Sequence, residues 1–279
     1  MTRVDWAEVA ASGYAVPESL HPPDVLDELL SILASPDPAI RDEQAYSTLA
    51  HWTRAGHFDA VLRKLGDEAA FRLSHESVLV RSFSALVLGE AIRRDRLASL
   101  LPRHIVAIWI ECWMRWYPQE TDVRSFEEGI GWIHAVAHGA DTAREMALHP
   151  IMGNSDGLRY LMEDLTGRLR SLPIHLNQTE DDRLALALLA VFSREEYEPE
   201  EIEAWSAAYR TLWTSLEPGF IPPGPVLAVR TLHSLHTLLH VGANVNGLTL
   251  CPAYPQETLA AVQDALRSVY PYYGNGQTG

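Results

Sequence analysis

The 279-residue sequence predicts an all-α protein of paired helices, and three observations carry that prediction. Apolar residues recur with helical period along nearly the whole chain. Strand-like alternation is nearly absent, and breaks bearing proline and glycine separate about eleven helical segments. The segments fall near 23–35, 38–55, 57–73, 77–94, 97–116, 130–148, 155–172, 180–194, 199–216, 224–242 and 256–270. Asp37-Pro38 and Glu198-Pro199 put proline in a first turn, where its missing N–H costs nothing. Thr179-Glu180-Asp181-Asp182 sets acids at an N-terminus, which the helix dipole favours. Residues 1–20 read as an N-terminal cap or flexible segment and 216–271 as C-terminal helices. The tail 272–279 reads as frayed.

Taken in pairs, the segments recur at roughly 40–50 residues, the period of HEAT and armadillo repeats. Asp37-Pro38-Ala39-Ile40-Arg41, with Ala45 four residues on, has the HEAT turn-and-second-helix pattern. Val80-Arg81-Ser82-Phe83-Ser84-Ala85-Leu86 repeats its second half forty positions later, and Asp182-Arg183-Leu184-Ala185 echoes it more weakly. The expectation is a single HEAT-like α-solenoid domain over 1–279, with about five hairpins. In that pairing 38–55, 77–94, 130–148, 180–194 and 224–242 are second helices, which line the concave groove where solenoids bind partners.

Composition narrows the function classes. A formal charge of −15 and a pI near 5.2 repel phosphate backbones. The only dense basic run, Arg93, Arg94 and Arg96, is interrupted by Asp95, so no nucleic-acid partner is expected. No apolar run reaches the roughly 18 residues of a membrane span, and the first residues carry no apolar leader. Cys112 and Cys251 lack metal or redox spacing, so a cytoplasmic protein with free thiols is expected. Lys64 is the single lysine, and its surroundings make Schiff-base or P-loop chemistry a poor fit. Gly274-x-Gly276-x-x-Gly279 matches a dinucleotide fingerprint in letters alone, since it follows no strand and opens no helix.

Candidate chemistry concentrates in Gly131-Trp132-Ile133-His134-Ala135-Val136-Ala137-His138-Gly139-Ala140-Asp141. On one continuous helix, His134, His138 and Asp141 fall within roughly 60° of one another, and Glu145 continues the stripe. Gly139 costs about 1 kcal/mol relative to alanine inside a helix, so it has a packing or ligand reason. Two histidines and a carboxylate at i, i+4 and i+7 suit a divalent metal such as zinc, nickel or iron, with positions left open for water. Ala135 stands where a metalloprotease motif has its glutamate, which disfavours that class. A metal-free His/Asp acid–base pair is a second reading, and a buried polar network tying helices together is a third.

This core, with Arg41-Asp42-Glu43-x-Ala45-Tyr46, Arg81-Ser82-Phe83-Ser84-Ala85-Leu86 and Glu180-Asp181-Asp182-Arg183-Leu184-Ala185, resembles a bacterial domain family of unknown function. That family is known by its Gly-Trp-x-His-Ala-x-Ala-His-Gly-Ala-Asp sequence, and the resemblance spans roughly 24–215. It implies a helical, HEAT-like fold and lends no activity. The positions it singles out are Asp42, Arg81, Trp132, His134, His138, Asp141 and Asp182.

Other features have plainer readings. His233, His236 and His240 share one face of a leucine-rich amphipathic helix that bears no carboxylate on that stripe, which favours a structural role. Arg41 and Arg81 fit the arginine ladders of HEAT-type arrays, and Trp109, Trp113, Trp116, Trp205 and Trp213 fit packing better than a carbohydrate platform. The functional expectation is a binding protein whose groove holds a small molecule or protein segment around the His/His/Asp patch. The alternative is a metal- or His/Asp-dependent hydrolase acting on a small polar substrate. Titration with duplex DNA and with RNA at about 150 mM salt is expected to show no micromolar binding. Tight, steeply salt-dependent binding would reveal a basic surface that outweighs the net charge.

Overall fold

In the computed structural model, residues 4–169, 172–217 and 219–270 are described. The chain divides into two compact units, Met1–Ile151 and Met152–Gly279. Both are mainly helical. Among the described residues no helix is long and apolar enough to cross a membrane. The expected fraying of 272–279 and the Gly274–Gly279 run lie outside the described residues.

The first unit begins with α1 (Trp6–Ala11), capped by Asp5, whose carboxylate accepts from the Ala7 and Glu8 N–H groups. Trp6 and Val9 are buried beneath it. Then follow α2 (Leu26–Ile32), a π-helical stretch Ala39–Tyr46 running into α3 (Ser47–Ala55), α4 (Leu62–Arg72), α5 (Val78–Ala98) and α6 (Arg103–Trp116). After α6 a connector carries a hairpin of two short antiparallel strands, β1 (Phe126–Glu127) and β2 (Gly131–Trp132), and leads into α7 (Ala135–Leu148). Helices α3, α5 and α7 pack in succession, while α4 lies against both α5 and α6.

Small residues set the α5–α7 crossing. A Cβ on Gly89 would come within 3.3 Å of the Thr142 Cα, and the Thr142 hydroxyl donates to the Ala85 carbonyl at 2.6 Å. Trp109 and Trp113 are fully buried, and Trp116 and Trp205 nearly so, which agrees with a packing role; Trp213 is half-buried. The indole N–H groups of the three most deeply buried tryptophans find partners, which offsets the cost of enclosing a donor, whereas Trp205 Nε1 is enclosed without a hydrogen bond. Trp52 donates to the Tyr14 carbonyl, Trp109 to Asp67 and Trp113 to the Gly139 carbonyl.

The second unit contains α8 (Ser155–Arg168), α9 (Glu180–Phe192), α10 (Pro199–Thr214), α11 (Pro223–Val241) and α12 (Pro255–Val269). Helix α9 packs on α11 and α10 on α12. Between α11 and α12 a hairpin of β3 (Ala243–Val245) and β4 (Leu248–Leu250) turns at Asn246-Gly247, both at positive φ. Asn-Gly suits that mirror-image turn because both residues tolerate left-handed backbone.

Several boundaries differ from the sequence reading: segments 57–73 and 97–116 become α-helical only at Leu62 and Arg103, and two further differences bear on the candidate site. The segment expected as helix 130–148 begins helically only at Ala135. Gly129 and Gly131 adopt left-handed φ of 84° and 81°, and the chain they turn is spent on the β1–β2 hairpin. Segment 38–55 starts as π-helix, with the Ser47 N–H reaching back five residues to the Asp42 carbonyl.

Near the end of the first unit, buried His149 donates from Nε2 to Asp95 Oδ2 at 3.1 Å and accepts the Ile151 N–H at Nδ1. Protonating Nδ1 would break the second bond. Burial, against the pull of Asp95, lowers the histidine's pKa below its ordinary value. The unfolded chain therefore takes up the proton first, and stability present above about pH 6.5 is lost as pH falls through the folded value. Denaturant titrations between pH 7.5 and 5 are expected to show a smaller loss for His149→Gln than for the parent; equal losses would place the effect elsewhere.

Candidate functional site

Two arginines forty residues apart in sequence build the frame of the site. Arg81, in the first turn of α5, donates from Nη1 to the His75 and Glu76 carbonyls at 2.7 and 2.8 Å. Its Nε and Nη2 grip Glu120 in the connector at 2.6 and 2.7 Å. Arg41, forty residues earlier and fully buried, donates from Nη1 to the Ser35 and Pro36 carbonyls, again six and five residues before it. Its Nη2 reaches the Ile130 and Trp132 carbonyls of the hairpin at 2.9 and 3.3 Å. The cation also lies over the Phe83 ring, 4.8 Å from its centre. Both arginines thus brace their own turn with one arm and hold the 120–132 connector with the other.

The expected acidic ladder partners are only part of this. Asp42 Oδ1 lies 2.8 Å from Arg41 Nε, and burial raises the Asp42 pKa despite that neighbour. Glu120, buried, stays ionised: burial alone would raise its pKa, but Arg81, the Asp122 N–H and the Trp116 indole together lower it.

The arrested hairpin delivers His134. Its backbone is left-handed (φ 49°), its N–H donates to the Arg124 and Ser125 carbonyls, and its carbonyl accepts the His138 N–H as the first bond of α7. His134 is therefore the N-cap of the helix instead of a member of it. A β-carbon in that conformation is strained, and the surrounding contacts must hold it there.

A column of rings results. Phe126, 53% exposed, meets Trp132, 38% exposed, edge to face at 5.0 Å. Trp132 stacks on half-buried His134 at 4.5 Å, and His134 meets buried His138 at 5.6 Å. His138 packs edge to face on buried Phe83 at 4.9 Å. The column runs from solvent to core.

Ser82 settles the protonation of His138. The Ser82 hydroxyl lies within hydrogen-bond reach of both the Ile133 carbonyl and, at 2.7 Å, His138 Nδ1. A carbonyl only accepts, so the single hydroxyl proton goes to Ile133, and Nδ1 carries its own proton. In neutral His138 the lone pair is then on Nε2. Ser82 itself is fully buried.

Behind the histidines lies an ion-pair group with equal charge of each sign. Arg144 contacts Asp141 at 2.8 Å and Glu145 at 3.2 Å; Arg96 contacts Glu145 at 3.2 Å, and Arg54 is held by Glu90. Burial first, then the charge of Glu90, pushes the Tyr46 hydroxyl well above its ordinary pKa, so it remains protonated among these groups.

The structure thus brings together Trp132, His134, His138 and Asp141, with Asp42 and Arg81 supporting the connector that carries them. His134, His138 and Asp141 do not form a ready metal cage. Among the described residues, the one grouping of three or more potential ligands with donor atoms within 4.8 Å is Glu198, Glu200 and Glu201, at the start of α10. Asp182 belongs to the second unit, where it accepts from the Ser234 hydroxyl at 2.7 Å. Among the described residues, cavities of about 670 and 610 Å³ are lined by residues other than His134 and His138. The larger is lined by Phe71, Leu73, Arg81, Cys112, Trp116 and Glu120.

Sequence reasoning passed over Ser82, Glu120, Tyr46 and Arg144 as site components. Ser82 and Tyr46 stood within quoted motifs, and their neighbourhood could have drawn attention to them. Nothing in the sequence marks Glu120.

Gly139 answers to an aromatic ring. A Cβ there would lie 2.2 Å from two carbons of Tyr117, whose hydroxyl donates to the Val136 carbonyl at 3.2 Å. Tyr117 in turn stacks on Trp113 at 4.6 Å.

The sequence model of a family described as "Protein of unknown function (DUF2785)" matches residues 72–239. The match covers more than half of the chain, and the chain belongs to this family. It begins later and ends later than the 24–215 suggested by the motifs, so Arg41 and Asp42 lie outside it. No curated protein matches. Among solved structures, the crystal structure of an engineered protein overlaps 88% of this chain and 96% of its own at 15% identity, with a TM-score of 0.43. A designed armadillo repeat protein overlaps 88% and 99% at 13% identity, with a TM-score of 0.38. Scores at this level do not define a common fold.

Glycine to alanine inside a helix ordinarily stabilises by about 1 kcal/mol. Gly139→Ala is expected to do the opposite, costing about 1–3 kcal/mol through overpacking against Tyr117. Urea denaturation measures the sign, and a stabilised variant would refute the packing argument.

Proposed function

We propose that this member of the DUF2785 family is a helical-repeat binding protein. It recognises a small polar molecule or a protein segment at the aromatic surface of its first unit. The observation that carries the reading is the ring column from Phe126 to Phe83, open to solvent at one end and locked at the other. Exposed tryptophan beside a half-buried histidine offers an apolar face and a polar edge together, a pairing that recognition sites favour. Left-handed backbone at His134, held by Arg41 and Ser82, supports function over mere packing, because strain of this kind persists where surroundings over-determine it. The matching grip of Arg41 and Arg81 on their own turns supports helical hairpins of HEAT type as the frame.

The hydrolase reading has one point in its favour. His138 donates from Nδ1 to Ser82, the orientation that would present Nε2 to a metal or to a proton in flight. Asp141, the third member of that constellation, is engaged by Arg144. The binding reading is therefore preferred.

The test combines native mass spectrometry of the purified chain with a thermal-shift screen of polar metabolites and peptides. A ligand is expected whose affinity falls at least tenfold in Trp132→Ala and in His134→Ala, vanishes in His138→Ala with modest loss of stability, and is unchanged in His236→Ala. A ligand indifferent to all three first-unit substitutions would place recognition elsewhere. A His138→Ala chain that merely unfolds would make the histidine structural.

A further inference from the structure

The second unit carries a histidine face that the recognition surface of the first does not use. His233, His236 and His240 lie along α11, with His233 and His236 half-buried and His240 exposed. Residues four apart on a helix are neighbours on its surface. The His236 and His240 rings stand with their centres 4.4 Å apart at 46°. His233 is turned to another partner, stacking on Tyr270 at 5.8 Å.

His240 is already oriented. Its Nδ1 lies 2.8 Å from the His236 carbonyl oxygen. That oxygen can only accept, so Nδ1 carries the proton and neutral His240 has its lone pair on Nε2. Metal-binding histidines are commonly fixed in this way, by a second nitrogen donating to a backbone carbonyl. The separation of the rings is also suitable. Metal–nitrogen bonds of about 2.0–2.1 Å place the centres of two imidazoles on one ion roughly 4.5 Å apart at a right angle and about 5.2 Å apart at a tetrahedral angle. The observed 4.4 Å fits the right angle, the arrangement of tetragonal ions.

We infer that His236 and His240 form a two-histidine site for a divalent transition metal of tetragonal preference, copper(II) or nickel(II), on the exposed face of α11. No third ligand atom joins them within 4.8 Å among the described residues, so water fills the remaining positions. Copper binds more tightly than nickel at such a site, and zinc more weakly than copper, following the general order for nitrogen donors. Hard cations such as magnesium and calcium, which take oxygen ligands, are not accepted.

The experiment is calorimetric titration of the full, untagged chain with CuCl₂ and NiCl₂ at pH 7.5, with electron paramagnetic resonance of the copper form. One ion per chain is expected, with a copper spectrum showing coupling to two imidazole nitrogens. His236→Ala and His240→Ala should each weaken binding at least tenfold, while His233→Ala should change it less than twofold. Circular dichroism of each variant should match the parent, because these side chains are not part of the core. Binding weaker than millimolar, or binding unaffected by both substitutions, would overturn the assignment. Loss of binding in His134→Ala or His138→Ala with His236→Ala unaffected would also overturn it, moving the metal to the first unit and reviving the hydrolase reading there.

Discussion

A buried guanidinium must satisfy its donors without water, and the first unit is arranged around that demand at Arg41. Its side chain is fully enclosed, yet it finds carbonyls in its own turn and in a hairpin some ninety residues away. Arg81 meets the same demand with carbonyls in its own turn and a buried carboxylate in the connector. Removing an oxygen partner would leave charge stranded in a dry interior, at a cost of several kcal/mol. The connector between α6 and α7 is thereby fixed in place, and with it Trp132, the left-handed His134 and the entry of α7. The ring column and the ion-pair group behind it are downstream of those two grips.

Helix positions were legible because burial on one face imposes a 3.6-residue period that turns and caps punctuate. Segments 77–94, 180–194 and 199–216 correspond closely to α5, α9 and α10. The hairpins were less legible. Strands of two or three residues are too short to display alternation, so periodicity is silent about them. The Asn246-Gly247 turn between Val245 and Leu248 is a local signal that could have been used. For 130–135, glycines at 129 and 131 broke an apparently continuous helical stripe that histidine spacing alone suggested. Short α1 was also unmarked, apart from its Asp5 cap.

Much the same division holds for the site. Trp132, His134, His138 and Asp141 are neighbours in sequence and remain so in space, so spacing found them. Their surroundings come from far along the chain: Ser82, Phe83 and Glu90 from α5, Arg54 from α3, Arg41 from the π-helical stretch. Such groups converge only through packing. The meaning of Gly139 was equally hidden, since the ring that requires it sits on a segment twenty-two residues earlier.

The ion-pair group behind the histidines has an evolutionary consequence. Arg54, Arg96 and Arg144 stand against Glu90, Asp141 and Glu145, so the group is neutral although the chain as a whole is strongly acidic. Losing one member of the enclosed Arg144, Asp141 and Glu145 cluster leaves its partner's charge where water scarcely reaches, whereas losing a matched pair to apolar residues of similar volume can be nearly neutral; Arg54, at the edge of the group, is exposed. Single substitutions in that cluster are therefore expected to be purged more often than paired ones. Descendants of this sequence are then expected to drift over most of the surface but to change Arg144 together with its acids, carrying them through lineages as one inherited unit.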